Sequence, residues 1–154
     1  MAEVLLSIGS NSGNRKKNIR QAFAFIREYA EIIQYSKAYH TKPYGLLNQP
    51  DFINISIKIK TPLKPLGLLE KLLESETKMG RVRKQKWGER IIDLDIIFYD
   101  DLIIYDEKLI VPHYDMHNRL FVLRPLLDIA PDYTHPVFKM TIRELYENCL
   151  IKNY

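Results

Sequence analysis

Asp93 and Asp95 stand two residues apart within RIIDLDIIFY, residues 90–99, a stretch otherwise rich in strand-forming apolar residues. Successive strand side chains alternate faces, so the two carboxylates share one, roughly 6.5–7 Å apart along the strand. Leu94, Ile96 and Phe98 are expected on the opposite face, in a core. Two like charges side by side on a half-buried strand repel each other. A divalent cation resolves that conflict, because Mg²⁺ is held by one or two carboxylates together with substrate phosphates. The preceding segment, Gly80 to Arg90, carries five basic residues (Arg81, Arg83, Lys84, Lys86, Arg90) and one acid, Glu89. Cations beside a carboxylate pair point to a polyanion with its metal, such as MgATP. The alternative at this stage is an aspartate pair held in surface ion pairs with those arginines.

A second polar cluster lies between Val111 and Phe121. His113, Tyr114 and Arg119 can all donate to phosphate oxygens, and the planar fork of Arg119 suits bidentate phosphate binding best. The other reading is a helix N-terminus with ordinary surface polars, which is preferred for His117. Four histidines and one cysteine, without C-x-x-C or H-E-x-x-H spacing, make a zinc site unexpected. Gly9 to Gly13 (GSNSG) lacks the lysine and hydroxyl residue of a P-loop, so any ATP binds by another geometry.

The chain has a net charge of +4, and the 80–90 segment alone carries that excess. The rest is neutral overall, which favours a confined anionic ligand over a long nucleic-acid track. At 154 residues a single domain, 1–154, is expected. Cys149 is the only cysteine, so an internal disulfide is impossible and a reducing compartment is expected. No apolar run approaches the ~18 residues of a membrane span. The N-terminal segment lacks the pattern of a signal peptide. A cytoplasmic monomer acting on small molecules, with neither nucleic acid nor membrane as partner, is the expectation.

These residues must be positioned by a small set of elements. Val4 to Ser10 reads as an apolar strand, and Asn11, Ser12 and Asn14 offer helix N-caps. Ile19, Ala22, Phe23 and Ile26 then recur at helical spacing. Glu31 to Tyr39 reads as a second strand, and Thr41 to Pro50 as a loop. From Phe52 to Lys60 the alternation is strict: Ile53, Ile55, Ile57 and Ile59 face one way, Phe52, Asn54, Ser56, Lys58 and Lys60 the other. Pro65 to Lys78 predicts a helix, with Pro65 in its first turn and Leu66, Leu69 and Leu73 inward. The order β-α-β-β-α-β predicts an α+β, ferredoxin-like sheet with both helices on one face. Asp93, Asp95, Phe52 and Asn54 would then share the opposite, open face. A hairpin (Leu102–Tyr105, Leu109–Val111) and helical pieces at Leu120–Ile129 and Thr141–Cys149 complete the expected elements.

Taken together, Gly9-Ser10-Asn11, the 49–54 segment QPDFIN, Gly80 to Arg83, Trp87, Gly88 and Arg90 ahead of Asp93-Leu94-Asp95, and Pro112 to Met116 followed by Asn118 and Arg119 carry a resemblance. The chain resembles the 6-hydroxymethyl-7,8-dihydropterin pyrophosphokinases of folate biosynthesis, essentially end to end. That resemblance implies transfer of the β,γ-pyrophosphoryl unit of ATP to the pterin hydroxymethyl oxygen, leaving AMP. It implies two Mg²⁺ ions on Asp93 and Asp95, with ATP as co-substrate. Arg81, Arg83, Arg90, His113, Tyr114 and Arg119 would contact the triphosphate or nucleotide. Glu76 and Ile96 fall at nucleotide-contact positions, and Trp87 at a loop position that closes over the site. The pterin would sit between Phe52 and Phe121, with Asn54 on its heterocyclic edge, Asp95 beside it, and Thr41, Lys42 and Tyr44 completing the pocket. The chain departs from the family pattern at Glu89 (usually proline), Leu73 (often glutamine) and Lys42 (commonly proline). Its loop after Arg83 also looks one residue shorter than in some members.

Two other classes use similar parts. An RNA-binding module on the same fold stacks bases on aromatics of its two central strands, but Val4 to Ser10 has none. A metal-dependent nuclease or another phosphotransferase could use the same aspartate pair, and would yield different products.

Overall fold

The computed structural model describes residues 1–42, 50–81 and 89–153. Among the described residues, seven strands and four α-helices follow one another as β1 (Ala2–Ser10), α1 (Arg15–Ile26), β2 (Glu31–Tyr35), β3 (Tyr39–Thr41), β4 (Phe52–Thr61), α2 (Pro65–Lys78), β5 (Asp93–Tyr99), β6 (Ile104–Tyr105), β7 (Ile110–Val111), α3 (Leu120–Ile129) and α4 (Ile142–Lys152). The main sheet runs β2-β4-β1-β5, with β3 also paired to β4, and its pairings are antiparallel. This is the expected α+β, ferredoxin-like arrangement, with β1 and β4 central and β5 at an edge.

One face of the sheet carries α1 and α2. Ile19, Ala22, Phe23 and Ile26 of α1 bury against Val4, Leu6 and Ile8 of β1 and the four isoleucines of β4, as their spacing requires. The predicted phase of α2 is wrong. Leu68, Leu72, Ser75 and Glu76 face the sheet, whereas Leu66 and Leu73 are about 40% exposed and Leu69 only borders the core. The inward row runs i, i+4, i+8 through Leu68, Leu72 and Glu76, and its acidic member hides it from a reading based on leucines.

The opposite face is not open along its length. Helices α3 and α4 cover part of it with a second core, in which Val122, Leu123, Leu126, Ile142, Leu145 and Cys149 pack on Leu5, Ile97 and Phe98. Alternation alone puts Phe98 beside Leu94 and Ile96, and the structure does not. The β1–β5 register shifts between Leu5 and Leu6, so one residue is inserted near Ile97 and Phe98 turns to the other side. The predicted second strand is also interrupted. The Ser36 hydroxyl accepts the Ser56 N–H at 2.9 Å and donates to the Lys37 carbonyl at 2.7 Å, so a side chain bonds β4 in the gap where β2 has ended and β3 has not begun.

The remaining elements match the sequence reading. Asn14 caps α1 by accepting the Lys17 N–H, and Thr141 and Glu144 form a capping box on α4. β6 and β7 pair as the hairpin. No described helix is long and apolar enough to cross a membrane.

Candidate active site

Register sets the floor of the site. Asn54 of β4 and Asp93 of β5 both lie opposite Gly9 of β1, and one step inward Ser56 and Asp95 both lie opposite Ser7. These residues share the face partly covered by α3. A Cβ added at Gly9 would stand 2.9 Å from Asn54 Oδ1 and 3.4 Å from the Phe52 ring, so only glycine lets those side chains lie across the strand.

Above this floor opens a cavity enclosing about 560 Å³ of empty space, partly continuous with solvent. Phe52, Asn54, Thr41 and Lys42 line one side, and Phe121, from the first turn of α3, lines another. Arg90, Asp93, Asp95 and Arg119 line the charged end, and Ser7 and Gly9 the base. Asn54 is buried and donates to the Thr41 hydroxyl at 2.6 Å, which fixes its amide. The guanidinium of Arg119 lies 5.7 Å from the centre of the Phe121 ring, and its Nε donates to Asp115 Oδ2 at 3.1 Å.

The aspartates share a face but differ in surroundings. Asp93 receives two arginines: Arg81 Nη1 at 3.1 Å from Oδ1 and Arg90 Nη1 at 3.1 Å from Oδ2. Asp95 faces the cavity from a poorly hydrated floor. Burial, then the negative charges of Asp93 and Glu76, push its carboxyl well above the usual carboxylate range, against Arg119 and Arg81. One carboxylate is thus matched by cations within the protein, and the other is left in excess of them.

Glu76 and Arg81 sit behind this pair. Glu76 Oε2 lies 2.7 Å from Arg81 Nη1 and accepts the Leu94 N–H at 2.7 Å. Ile96 buries its side chain in the core beneath the helices. Its backbone, two residues beyond Leu94 on the edge strand, faces the same outer edge by the antiparallel alternation. His113 stacks on Tyr114 with ring centres 5.0 Å apart. Its Nδ1 accepts the Asp115 N–H at 3.2 Å, so the neutral ring carries its proton on Nε2. Burial and then Arg119 push its pKa down to about 4, so it is neutral at physiological pH.

The structure therefore brings Thr41, Lys42, Phe52, Asn54, Phe121, Arg90, Asp93, Asp95 and Arg119 around one cavity. Glu76, Arg81, Ile96, His113 and Tyr114 stand outside that lining. Tyr44, Arg83 and Trp87 lie outside the described residues. The sequence reading misses Ser7 as part of the floor, although Glu3, Leu5, Ser7 and Gly9 alternate with the apolar residues of β1. Of the three N-caps the sequence offers, Asn11, Ser12 and Asn14, the helix uses Asn14, and Asn11 is buried. The sheet face on which an RNA-binding module stacks bases is here partly occupied by α3.

A family model described as 7,8-dihydro-6-hydroxymethylpterin-pyrophosphokinase matches residues 5–131. The chain belongs to this family. It is 38% identical to the 2-amino-4-hydroxy-6-hydroxymethyldihydropteridine pyrophosphokinase of Haemophilus influenzae, over 99% of this chain and 98% of that protein. To the Aquifex aeolicus protein of the same name it is 38% identical, over 100% of this chain and 96% of that one. The fold is also that of a Plasmodium falciparum HPPK-DHPS crystal structure, with a TM-score of 0.81 at 19% identity, covering 99% of this chain and 44% of that longer one. The cavity combines two phenylalanine rings with two aspartates and two arginines. Such rings can stack on a flat heterocycle, and the arginines can oppose the charge of a polyphosphate.

Proposed function

We propose that this cavity is where the pyrophosphokinase reaction takes place, with the pterin at its aromatic end and the triphosphate at its charged end. The chain transfers pyrophosphate from ATP to 6-hydroxymethyl-7,8-dihydropterin, a step of folate biosynthesis. The observation that supports the placement is the junction itself: Phe52, Asn54 and Phe121 share one cavity with Arg90, Asp93, Asp95 and Arg119.

Asp93 and Asp95 fit Mg²⁺. They offer hard carboxylate oxygens on one face of one strand, and Asp95, whose ionised form burial and Asp93 disfavour, is a group that a bound cation would hold as the carboxylate. Among the described residues no group of three or more His, Cys, Asp or Glu could hold a metal alone. Mg²⁺ held by one or two carboxylates completes its shell with substrate phosphates and water. Two Mg²⁺ ions bound there would supply charge neutralisation to the triphosphate.

The chain's own residues do the rest by positioning. Phe52 and Phe121 hold the pterin plane, and Asn54, oriented by Thr41, meets its polar edge. Arg90 and Arg119 meet phosphate oxygens at the charged end. His113 donates through Nε2–H as a neutral group, which adds no further charge beside Arg119. The outer edge of β5 at Ile96 offers backbone groups to the nucleotide base. Arg81, Arg83, Tyr44, Trp87, Tyr114, Glu76 and Lys42 complete the proposed contacts. The chain works as a cytoplasmic monomer on small-molecule substrates.

Product analysis tests this reading. Incubation with MgATP and 6-hydroxymethyl-7,8-dihydropterin should give AMP and the pterin diphosphate in equal amounts. ADP as the main nucleotide product would mean ordinary phosphoryl transfer.

A further inference from the structure

We infer that Asn11 is a positioning residue that sets the pterin side and the nucleotide side of the site against each other. The inference rests on the placement of substrates proposed above. Asn11 follows β1 directly and is wholly buried. Its backbone N–H donates to the Arg90 carbonyl at 3.0 Å, and its Oδ1 accepts the Arg90 N–H at 2.7 Å. Its Nδ2 donates to the Pro50 carbonyl at 3.1 Å. One residue therefore bonds the backbone leading into β5 and the backbone leading into β4.

Those two segments deliver the two halves of the chemistry. Two residues after Pro50 comes Phe52, and then Asn54. Arg90 reaches Asp93 with its own guanidinium, three residues before it. Chemistry alone fixes the amide orientation: the oxygen must meet the Arg90 N–H and the nitrogen the Pro50 carbonyl. An aspartate could make only the first bond, and an alanine neither. The surrounding turn is braced for this task. Asn18 Nδ2 donates to the Ser12 carbonyl at 2.8 Å and to the Ser10 hydroxyl at 3.2 Å. Arg15 Nη1 donates to the Asp51 carbonyl at 2.7 Å, so the turn grips two successive carbonyls ahead of β4. Helix α1 does not need Asn11, because Asn14 is its cap.

Pyrophosphoryl transfer without a side-chain nucleophile depends on relative placement, and a 1 Å error in such placement can cost about 100-fold in rate. The test compares the wild-type chain with Asn11→Ala and Asn11→Asp. Steady-state kinetics would be run for both substrates, with direct binding of a non-hydrolysable MgATP analogue and of the pterin. Asn11→Ala should lower kcat by about 100-fold, with much smaller losses of affinity for either ligand. Asn11→Asp keeps the bond to Arg90, so it should recover part of kcat while raising KM for the pterin more than for ATP. A purely structural role would lower the folded fraction and the melting temperature without that selective effect. Amide hydrogen exchange on the wild-type chain needs no variant, and the Arg90 N–H should be strongly protected. Unchanged kcat per folded molecule in Asn11→Ala, or an Arg90 amide exchanging like an exposed one, overturns the proposal. A wild-type chain that makes no AMP overturns the reaction instead, and the exchange measurement still decides whether Asn11 clasps Arg90.

Discussion

Glu76 Oε2 and Arg81 Nη1 meet at 2.7 Å, with side chains only 4% and 7% exposed. The same carboxylate oxygen accepts the Leu94 N–H, and the same guanidinium nitrogen reaches Asp93. A buried polar chain thus runs from the edge of β5 through α2 to the Asp93 carboxylate. Breaking a buried ion pair by removing one partner costs about 3–5 kcal/mol, because the other charge stays behind in the interior. Glu76→Ala should destabilise the fold on that scale in urea unfolding. Glu76→Gln, which keeps an acceptor for Leu94, should cost less and should leave MgATP-analogue affinity nearly intact if Glu76 acts through Arg81. Stability of Glu76→Ala within about 1 kcal/mol of the wild type, the scale of a solvated surface pair, would contradict this account.

The aromatic walls allow a separate test. Phe52→Ala or Phe121→Ala should weaken pterin binding by about 1–3 kcal/mol, the scale of stacking a base on an aromatic ring. Affinity for the nucleotide analogue should change much less. Gly9→Ala should resemble these variants while adding atoms, since its Cβ would press on Asn54 and Phe52 from below. Equal losses for both ligands would show that these positions support the fold and not the pterin.

Much of the framework is legible in the sequence because periodicity records burial. The four isoleucines of β4 and the four apolar positions of α1 face the core as their spacing requires. The aspartate pair is legible for the same reason, since alternation places both carboxylates on one face. What fails depends on tertiary context. The phase of α2 is hidden because Glu76 belongs to its buried row, and a paired acid looks solvent-facing in sequence. The turn of Phe98 to the second core depends on one inserted residue in the β1–β5 ladder. Helices α3 and α4 can be read as helices, but not the face of the sheet they cover. Alternation and strand order already join Phe52 and Asn54 to Asp93 and Asp95 across β1, whereas Phe121 and Arg119, far along the chain at α3, are joined to them only by family resemblance.

His135 sets a pH limit away from the site. It is buried, with Nδ1 accepting the Val137 and Phe138 N–H groups at 3.1 Å each and its ring stacked on Phe138 at 4.3 Å. Burial, and secondarily His117, lowers its pKa from the ordinary histidine value of 6.5 to about 4. Between those values the unfolded chain binds a proton that the folded chain does not. The stability contributed by neutral His135 is therefore present above about pH 6.5 and lost as pH falls toward 4. Between pH 7 and 5 the wild-type urea midpoint should fall relative to that of His135→Asn, since the like contribution of His113 and the opposite one of Asp95 are common to both chains. His135→Asn retains an acceptor for the two N–H groups. An imidazole NMR signal titrating near 6.5 in the folded chain would rule this out.

The two aspartates should respond oppositely in stability and alike in catalysis. Asp95 is raised by burial and by Asp93, so its charge opposes folding in the metal-free chain. Asp93 is bound by Arg81 and Arg90, so its charge supports folding. At neutral pH without metal, Asp95→Asn should raise the melting temperature, and Asp93→Asn should lower it. Either variant should lower kcat by about three powers of ten, since metal charge stabilisation is worth several kcal/mol. Addition of Mg²⁺ with an ATP analogue should raise the wild-type melting temperature much more than that of either variant. Stability changes of the same sign in both variants would refute the charge assignment at the floor of the site. Near-normal turnover with Mg²⁺ in either would leave that carboxylate a structural group.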